Sequence, residues 1–272
     1  MMFIKPCHGL ITSLYSDARL NPVLNVIRPH WGTDYGNTPG QNDIIAAAAG
    51  KVRIAVNSGT GFGKYVVITH PNGWETLYAH LTMISVSAGQ TVKQGKKIGV
   101  KGTTGNSTGI HLHFEMSKGK WTNKYTQHVN PALYINDPDV RHLQLSLNEI
   151  GYKVAVDGLY GDGLAKEVLD YQKRNKLGAD GVAGRVTIAA LEKTVTSKAP
   201  SEKEDEELKF SSPALKTETE TSLVSKAHRQ IIVAAAIKAG AQSFWADRLA
   251  DNTLTDADVL GLAVKYTVAV NK

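Results

Sequence analysis

The residues best able to do chemistry in this 272-residue chain are four histidines and one aspartate, namely His30, Asp34, His80, His111 and His113. His111 and His113 are two residues apart in a run rich in β-forming side chains, so a strand there would point both imidazoles to one side. A proline and two glycines flank His30 and Asp34 and argue against a helix, which places this pair on a loop or at a strand end. Taken alone, each pair could be structural: hydrogen-bonded surface histidines in one case, a His–Asp hydrogen bond in the other.

Together the five side chains match the needs of a catalytic zinc site. Catalytic zinc takes three protein ligands from His, Asp or Glu and keeps a fourth position open. Two neutral imidazoles and one carboxylate meet that requirement, with one member of the His111/His113 pair as a ligand. The other member and His80 would remain for proton transfer or for stabilising negative charge on an oxygen. The set predicts a metal-dependent hydrolase.

The elements around these residues predict the fold. Short β-forming runs at 52–56, 65–69, 76–80 and 112–115 are separated by glycine-containing turns, a spacing that favours antiparallel hairpins. After Pro138 apolar residues recur at helical spacing. We therefore predict a multi-domain α+β chain, with a mostly antiparallel β catalytic domain, a small three-helix domain and a small helical C-terminal module. The predicted boundaries are a catalytic domain at 1–136, a three-helix domain at 138–194, a charged linker at 195–209 and a C-terminal module of unknown role at 210–272.

Composition excludes several classes of protein. A single cysteine, Cys7, cannot form a disulfide within one chain, and no apolar run reaches the roughly 18–20 residues that span a bilayer. Residues 1–137 hold 13 Lys/Arg against 6 Asp/Glu, whereas residues 138–272 hold 18 against 19. The basic N-terminal half favours an anionic partner. Nucleic acid is one such partner and a bacterial wall decorated with anionic polymers is another, and charge alone does not choose between them. No nucleic-acid-binding motif is recognised, which disfavours the first.

Three motifs in residues 9–117 resemble the M23 family of lysostaphin-like zinc endopeptidases, namely His30-x-x-x-Asp34, Leu-Tyr-Ala-His-Leu at 77–81, and Gly-Asn-Ser-Thr-Gly-Ile-His-Leu-His-Phe-Glu at 105–115. The resemblance implies that His30, Asp34 and His113 bind one zinc ion (Zn2+) per catalytic domain. It implies that His80 and His111 are the catalytic histidines, which handle protons and developing negative charge. The implied reaction is hydrolysis of a peptide bond in the stem or cross-bridge of peptidoglycan.

Two further stretches also carry resemblances. Asn21, in an Arg-x-Asn-Pro sequence, resembles an upstream polar position that lines the substrate cleft of M23 enzymes. Residues 139–193 resemble a three-helix peptidoglycan-binding domain, within which Asp157-Gly158 is echoed by Asp180-Gly181. Locally this echo predicts two tight turns, whereas the resemblance predicts a wall anchor that supplies no catalytic group.

We expect a modular peptidoglycan endopeptidase of the phage endolysin type. Residues 1–10 lack the features of a secretory signal, so we expect storage in the host cytoplasm until a holin-type protein opens a route to the wall. Two alternatives remain open: a non-catalytic wall-binding or phage structural protein that kept the fold, and a peptidoglycan amidase. Zinc content tests the first, and the new amine released from digested walls tests the second.

Overall fold

The computed structural model describes residues 3–21, 25–122 and 124–198. The chain divides into two compact units, Met1–Ala199 and Pro200–Lys272, of which the first contains these residues. The predicted C-terminal module at 210–272 and most of the predicted linker lie outside the described residues.

The described part contains a β-rich region followed by three helices. Its strands are β1 (Phe3–Ile4), β2 (Ile11–Ser13), β3 (Ser16–Asn21), β4 (Val26–His30), β5 (Thr33–Gly36), β6 (Asp43–Ile45), β7 (Gly50–Asn57), β8 (Lys64–Thr69), β9 (Glu75–Ile84), β10 (Thr91–Val92), β11 (Lys97–Lys101), β12 (His111–Ser117), β13 (His128–Val129) and β14 (Ile135–Asn136). Its α-helices are α1 (Pro138–Glu149), α2 (Asp162–Arg174) and α3 (Arg185–Lys198). A short 3₁₀ helix, Pro131–Leu133, precedes β14.

One antiparallel sheet forms the frame of the β-rich region. Its central order is β10-β7-β8-β9-β12-β5-β2, while β11 pairs with β6 and β9, and β13 pairs with β12. The four runs predicted as strands fall in β7, β8, β9 and β12, which confirms the prediction of an antiparallel β domain. Leu112 and Phe114 of β12 are fully buried against the sheet core, as the alternation with His111 and His113 requires. The hairpin of β3 and β4 stands outside this sheet as a two-stranded antiparallel pair.

A buried glutamine clasps each of the two echoed turns in the three-helix region. The Gln144 side chain accepts from the amides of Asp157 and Gly158 at 3.1 and 2.8 Å and donates to Asp157 Oδ1 at 2.8 Å. Gln172 repeats the arrangement on Asp180 and the glycine that follows it, with the matching distances at 3.1, 2.8 and 2.9 Å. In each case the side-chain amide of the glutamine both donates to and accepts from the same turn. The two Asp-Gly sequences therefore belong to a structural repeat, which consists of a helix that carries the glutamine and the turn that follows it.

Several contacts join the three helices to the β-rich region. β1 pairs with β14 in parallel, and the side chain of Asp137 caps α1 by accepting from the Asp139 amide at 2.9 Å. Lys5 Nζ lies 2.9 Å from Asp137 Oδ1 and 2.5 Å from Asp139 Oδ2. The Tyr160 amide donates to the carbonyl of Ala132 at 3.0 Å. One cluster of buried apolar residues continues from the β-rich region into the helices.

The predicted start of the charged linker needs correction, because α3 continues through Lys198. Composition placed residues 195–198 in solvent, yet Val195 packs against the core and the hydroxyl of Thr194 lies 3.1 Å from that of Tyr171. These tertiary contacts extend the helix past the point where local polarity suggested an end. Among the described residues, no helix is both long enough and apolar enough to cross a membrane.

Candidate metal centre

Three of the predicted residues place one donor atom each at the corners of a small triangle. His30 Nε2 lies 3.1 Å from Asp34 Oδ1 and 3.1 Å from His113 Nδ1, and the last two atoms are 2.8 Å apart. A tetrahedral zinc ion with bonds of about 2.0–2.1 Å spaces its ligand atoms about 3.3 Å apart. The triangle therefore fits zinc closely, and the two-imidazole, one-carboxylate donor set is one that catalytic zinc uses.

Strand register brings these residues together. β12 and β5 pair so that His113 lies directly opposite Asp34, while His30 is the last residue of β4. The bend between β4 and β5 passes close to the His113 ring at Gly32. A Cβ there would lie 2.6 Å from the carbonyl oxygen of Phe114 and 2.7 Å from His113 Cε1. Glycine at position 32 is thus needed for space beside the metal ligand.

Hydrogen bonds set which nitrogen of each ligating imidazole faces the triangle. His30 Nδ1 lies 2.7 Å from the carbonyl oxygen of Leu14, so it donates there and leaves Nε2 as the ligand atom. His113 uses the opposite nitrogen: its Nε2 lies 2.9 Å from Glu115 Oε1, so Nδ1 is free to bind metal. Each ligand is oriented by an acceptor behind it, as metal-binding histidines require.

His80 and His111, the two predicted catalytic histidines, lie together beside the triangle with ring centroids 4.8 Å apart. His80 Nδ1 lies 2.8 Å from the Thr104 carbonyl oxygen and His111 Nδ1 lies 2.9 Å from the Gly109 carbonyl oxygen. Both imidazoles therefore donate from Nδ1 and keep Nε2 for the site. His111 Nε2 is 3.9 Å from Asp34 Oδ1.

A backbone irregularity aims the His80 side chain. Between Tyr78 and Leu81, β9 carries one more residue than the facing segment of β8, which is a β-bulge. His80 adopts a φ of 64°, in the left-handed region that non-glycine residues seldom occupy. Its amide is held by the carbonyl of Phe62 at 2.9 Å. Backbone strain of this kind is maintained only where the surrounding contacts hold the residue in place, and it is often found at functional sites.

The electrostatics of the site separate the roles of its members. Burial lowers the pKa of His80 to about 4, and the nearby His113 and His111 act in the same direction, so this imidazole is neutral at pH 7. Burial alone would raise the pKa of Asp34, but the charge of His30 and hydrogen bonds from both ligand histidines hold it well below its usual range. Burial disfavours the charged form of His113, yet its hydrogen bonds to Asp34 and Glu115 raise its pKa to about 10 in the metal-free protein.

Comparison with known proteins places this site in a family. Residues 28–131, which contain all five site residues, match the family described as "Peptidase family M23". The chain carries an M23 peptidase domain. Residues 136–191, which contain α1 and α2, match the domain described as "Putative peptidoglycan binding domain". M23 peptidases are zinc-dependent, and His30, Asp34 and His113 are the residues that could hold the zinc ion.

Similar proteins share the M23 domain but are longer. The peptidoglycan DD-endopeptidase ShyB of Vibrio cholerae serotype O1 is 43% identical over 113 residues, covering 42% of this chain and 26% of that protein. The DD-carboxypeptidase/endopeptidase Mpg of Neisseria meningitidis serogroup B is 44% identical over 97 residues, covering 36% of this chain and 22% of that protein. The chain thus spans about a quarter of the length of these relatives. A crystal structure of a zinc-containing peptidase from Vibrio cholerae superposes with a TM-score of 0.41 at 34% identity, covering 48% of this chain and 39% of that one.

Sequence reasoning missed a carboxylate that supports the M23 zinc site. Glu115 is fully buried and contacts His113, Trp121 and His128 through its two oxygens. Burial would raise its pKa, but hydrogen bonds from His113 and His128 lower it to about 2, so it is ionised at neutral pH. A signal was available: residues i and i+2 of a strand share a face, which puts Glu115 beside His113. His128, which the sequence indicated only as a structural or surface residue, is a partner of this carboxylate.

The M23 zinc site opens into a cleft of about 1190 Å³. Asn21, predicted to line the cleft, does so from the end of β3, together with Arg19 and Arg28 of the same hairpin. Arg19 brings a guanidinium nitrogen to 3.6 Å from Asp34 Oδ2. Aromatic rings form part of the rim, where Trp31 stacks on Tyr125 with ring centroids 5.6 Å apart. The cleft is large enough for several residues of an extended peptide.

Proposed function

We propose that this protein is a zinc-dependent endopeptidase that hydrolyses peptide bonds in the stem or cross-link of bacterial peptidoglycan. The observation that carries the proposal is the zinc-sized triangle with two further imidazoles facing it across one cleft. The substrate class is supported by the peptidoglycan-binding match at 136–191 and by relatives that are named peptidoglycan DD-endopeptidases. Because these relatives are named DD-endopeptidases, we expect the bond that is cleaved to be of the D,D type in the cross-link.

His30, Asp34 and His113 would hold the zinc ion, and hydrogen bonds to the Leu14 carbonyl and to Glu115 pre-orient the two histidines. When bound, zinc supplies Lewis acidity toward an oxygen of the substrate or of water and keeps a coordination position open. Preorganised donors and dipoles of this kind need no rearrangement as charge develops in the transition state. The protein's part is to fix the geometry before the substrate arrives.

His80 and His111 can divide proton removal and proton delivery between them. Each donates its Nδ1 proton to a backbone carbonyl, so each presents Nε2 to the cleft. His80 is neutral at pH 7 because burial and the adjacent histidines lower its pKa, which leaves Nε2 able to accept a proton or a hydrogen bond. After a proton is taken up, the same nitrogen can deliver it to the departing amine.

Mass spectrometry of fragments released from purified cell walls of defined cross-link chemistry tests this function. Cleavage that stops with a chelator and returns with added zinc, and that exposes a new amine within the peptide, supports the proposal. A new amine at the junction between sugar and peptide would instead identify an amidase. Binding to walls without any released fragment would identify a non-catalytic wall-binding or structural protein.

We further propose that the protein acts as a phage endolysin, held in the host cytoplasm until a holin-type protein lets it reach the wall. The order of a peptidase domain followed by a wall-binding domain suits an enzyme acting on an insoluble polymer. The excess of basic residues in 1–137 favours approach to anionic wall polymers. Expression in a bacterial cytoplasm, with and without a co-expressed holin, tests the role. Lysis only with both proteins is expected, and equal lysis without the holin would contradict it.

A further inference from the structure

The peptidoglycan-binding domain forms part of the wall of the catalytic cleft. The cleft that contains His30, Asp34 and His113 is also lined by Asp139 of α1 and Arg185 of α3. Asp139 is paired with Lys5, which also pairs with Asp137. The domain that the sequence analysis predicted to supply only wall affinity therefore brings side chains to the substrate cleft.

Arg185 is held at a defined position in that wall. One of its terminal guanidinium nitrogens donates to the backbone carbonyl oxygen of Asn37 at 2.7 Å. Asn37 directly follows Gly36, which pairs with His111 in the ladder between β5 and β12. At about 3.4 Å per residue of extended chain, Asn37 lies about 10 Å along the backbone from Asp34. The guanidinium thus contacts the chain segment that carries Asp34, three residues from that carboxylate in the sequence.

Neighbouring contacts keep this part of the cleft rigid. The buried Lys101 donates from Nζ to the carbonyl oxygens of Gly36 and His8 at 2.6 and 2.7 Å. The amide of Gly36 donates to the Leu10 carbonyl at 2.9 Å. The Asn37 carbonyl that holds Arg185 therefore belongs to a fixed segment.

The remaining donors of Arg185 are available to a ligand. Within residues 3–198 as described, the one polar partner of Arg185 is the Asn37 carbonyl, and the side chain is exposed. A guanidinium has five N–H donors in a planar fork that matches the two oxygens of a carboxylate. A backbone carbonyl uses one nitrogen and carries no formal charge, so the positive charge is left for an anionic group in the cleft.

We infer that Arg185 binds a free carboxylate of the peptide substrate and so determines specificity for anionic peptides over amidated ones. The inference rests on the proposed peptidase function and adds to it a contact made across the two domains. Arg185 does not touch the reacting atoms, so its contribution is to substrate binding. A charge-assisted contact of this kind contributes about tenfold in affinity.

The test compares Arg185→Gln with the wild-type full chain on two soluble muropeptide dimers with the same cross-link, one with free peptide carboxylates and one with those carboxylates amidated. Arg174→Gln is the matched control, because Arg174 lies on the same domain, is exposed, pairs with Asp170 and does not line the cleft. Both substitutions remove one positive charge. Arg185→Lys provides a conservative variant that keeps the positive charge and loses the planar guanidinium with its paired N–H donors.

We expect Arg185→Gln to raise KM about tenfold on the free-carboxylate dimer, to leave kcat within about twofold, and to match wild type on the amidated dimer. Arg185→Lys should recover part of the loss, and Arg174→Gln should match wild type on both dimers. An unchanged KM for Arg185→Gln, or an equal loss on both dimers, would overturn the inference. If wild type cleaves neither dimer, the proposed function itself fails, which is a separate outcome.

Discussion

Replacing Glu115 with glutamine tests whether the carboxylate behind His113 tunes the zinc site. The substitution keeps the shape of the side chain but removes its negative charge. Glu115 Oε1 accepts from His113 Nε2, and Oε2 accepts from the Trp121 indole and from His128. The indole N–H can only donate, and His113 must donate from Nε2 if Nδ1 is to bind metal. The single oxygen of a glutamine amide can accept from either the Trp121 indole or His113. Its NH₂ group then faces the other N–H, which loses its acceptor.

The magnitude follows from that mismatch. Leaving one buried donor unsatisfied costs about 1–3 kcal/mol. If the amide oxygen stays with Trp121, His113 loses its acceptor and the cost appears in zinc affinity. Loss of a hydrogen-bond partner behind a metal ligand typically weakens metal binding by about 10–100-fold. We therefore expect zinc to dissociate about 10–100-fold more readily from Glu115→Gln.

Competition with a chelating dye measures the zinc Kd, and thermal unfolding with and without zinc measures stability. Glu75→Gln is the matched control, because Glu75 is buried to the same extent, with 2% exposed for both carboxylates, and also contacts Trp121. Its other partners are Arg53 and Thr69, and none is a zinc ligand. The control should lose stability while its zinc Kd stays within about twofold of wild type. Equal zinc affinity in Glu115→Gln and wild type, or an equal loss in both variants, would refute the reasoning.

Four other changes probe the site and its frame. Asp34→Ala or His113→Ala should abolish zinc binding and activity together. His80→Ala should keep stoichiometric zinc and lose most turnover. Normal wall cleavage by the His80→Ala variant would show that His80 takes no part in the mechanism. Because His113 has a pKa of about 10 without metal, zinc must displace its proton at pH 6–8, so affinity should rise about tenfold per pH unit, with about one proton released in calorimetry. Gly32→Ala should lose zinc by crowding His113, while Gly163→Ala, whose Cβ meets nothing within 4 Å, should not, as metal analysis of both would check. Lys5→Met should lower stability by about 3–5 kcal/mol in urea unfolding, because it leaves the buried Asp137 carboxylate without its cation; a change below about 1 kcal/mol would contradict that account.

Local pattern predicted the strands and singled out five side chains that the structure brings together, but not how they meet. The alternation of His111 and His113 with two buried apolar residues is visible in one strand. The pairing of His113 with Asp34 depends instead on the register between β12 and β5, which are far apart in the sequence. The position of His80 depends on a bulge, and nothing in residues 76–80 marks the extra residue. The contact of Arg185 with Asn37 joins residues 148 positions apart, beyond the reach of any local pattern.

The way the two domains join changes what the wall-binding domain can contribute. A flexible tether raises the effective concentration of substrate and leaves its orientation free. Here β1 pairs with β14, Lys5 binds two carboxylates at the start of α1, and Arg185 contacts Asn37, the neighbour of the residue that pairs with His111. Three separate attachments and a continuous apolar core hold one orientation. A peptidoglycan strand bound to the helices would therefore reach the metal from a fixed direction, so the domain would select which peptide enters the cleft as well as how often one arrives. Removing residues 138–198 would cost the M23 domain part of its cleft wall and of its core, and a loss of activity on small soluble fragments would follow from the missing cleft wall alone.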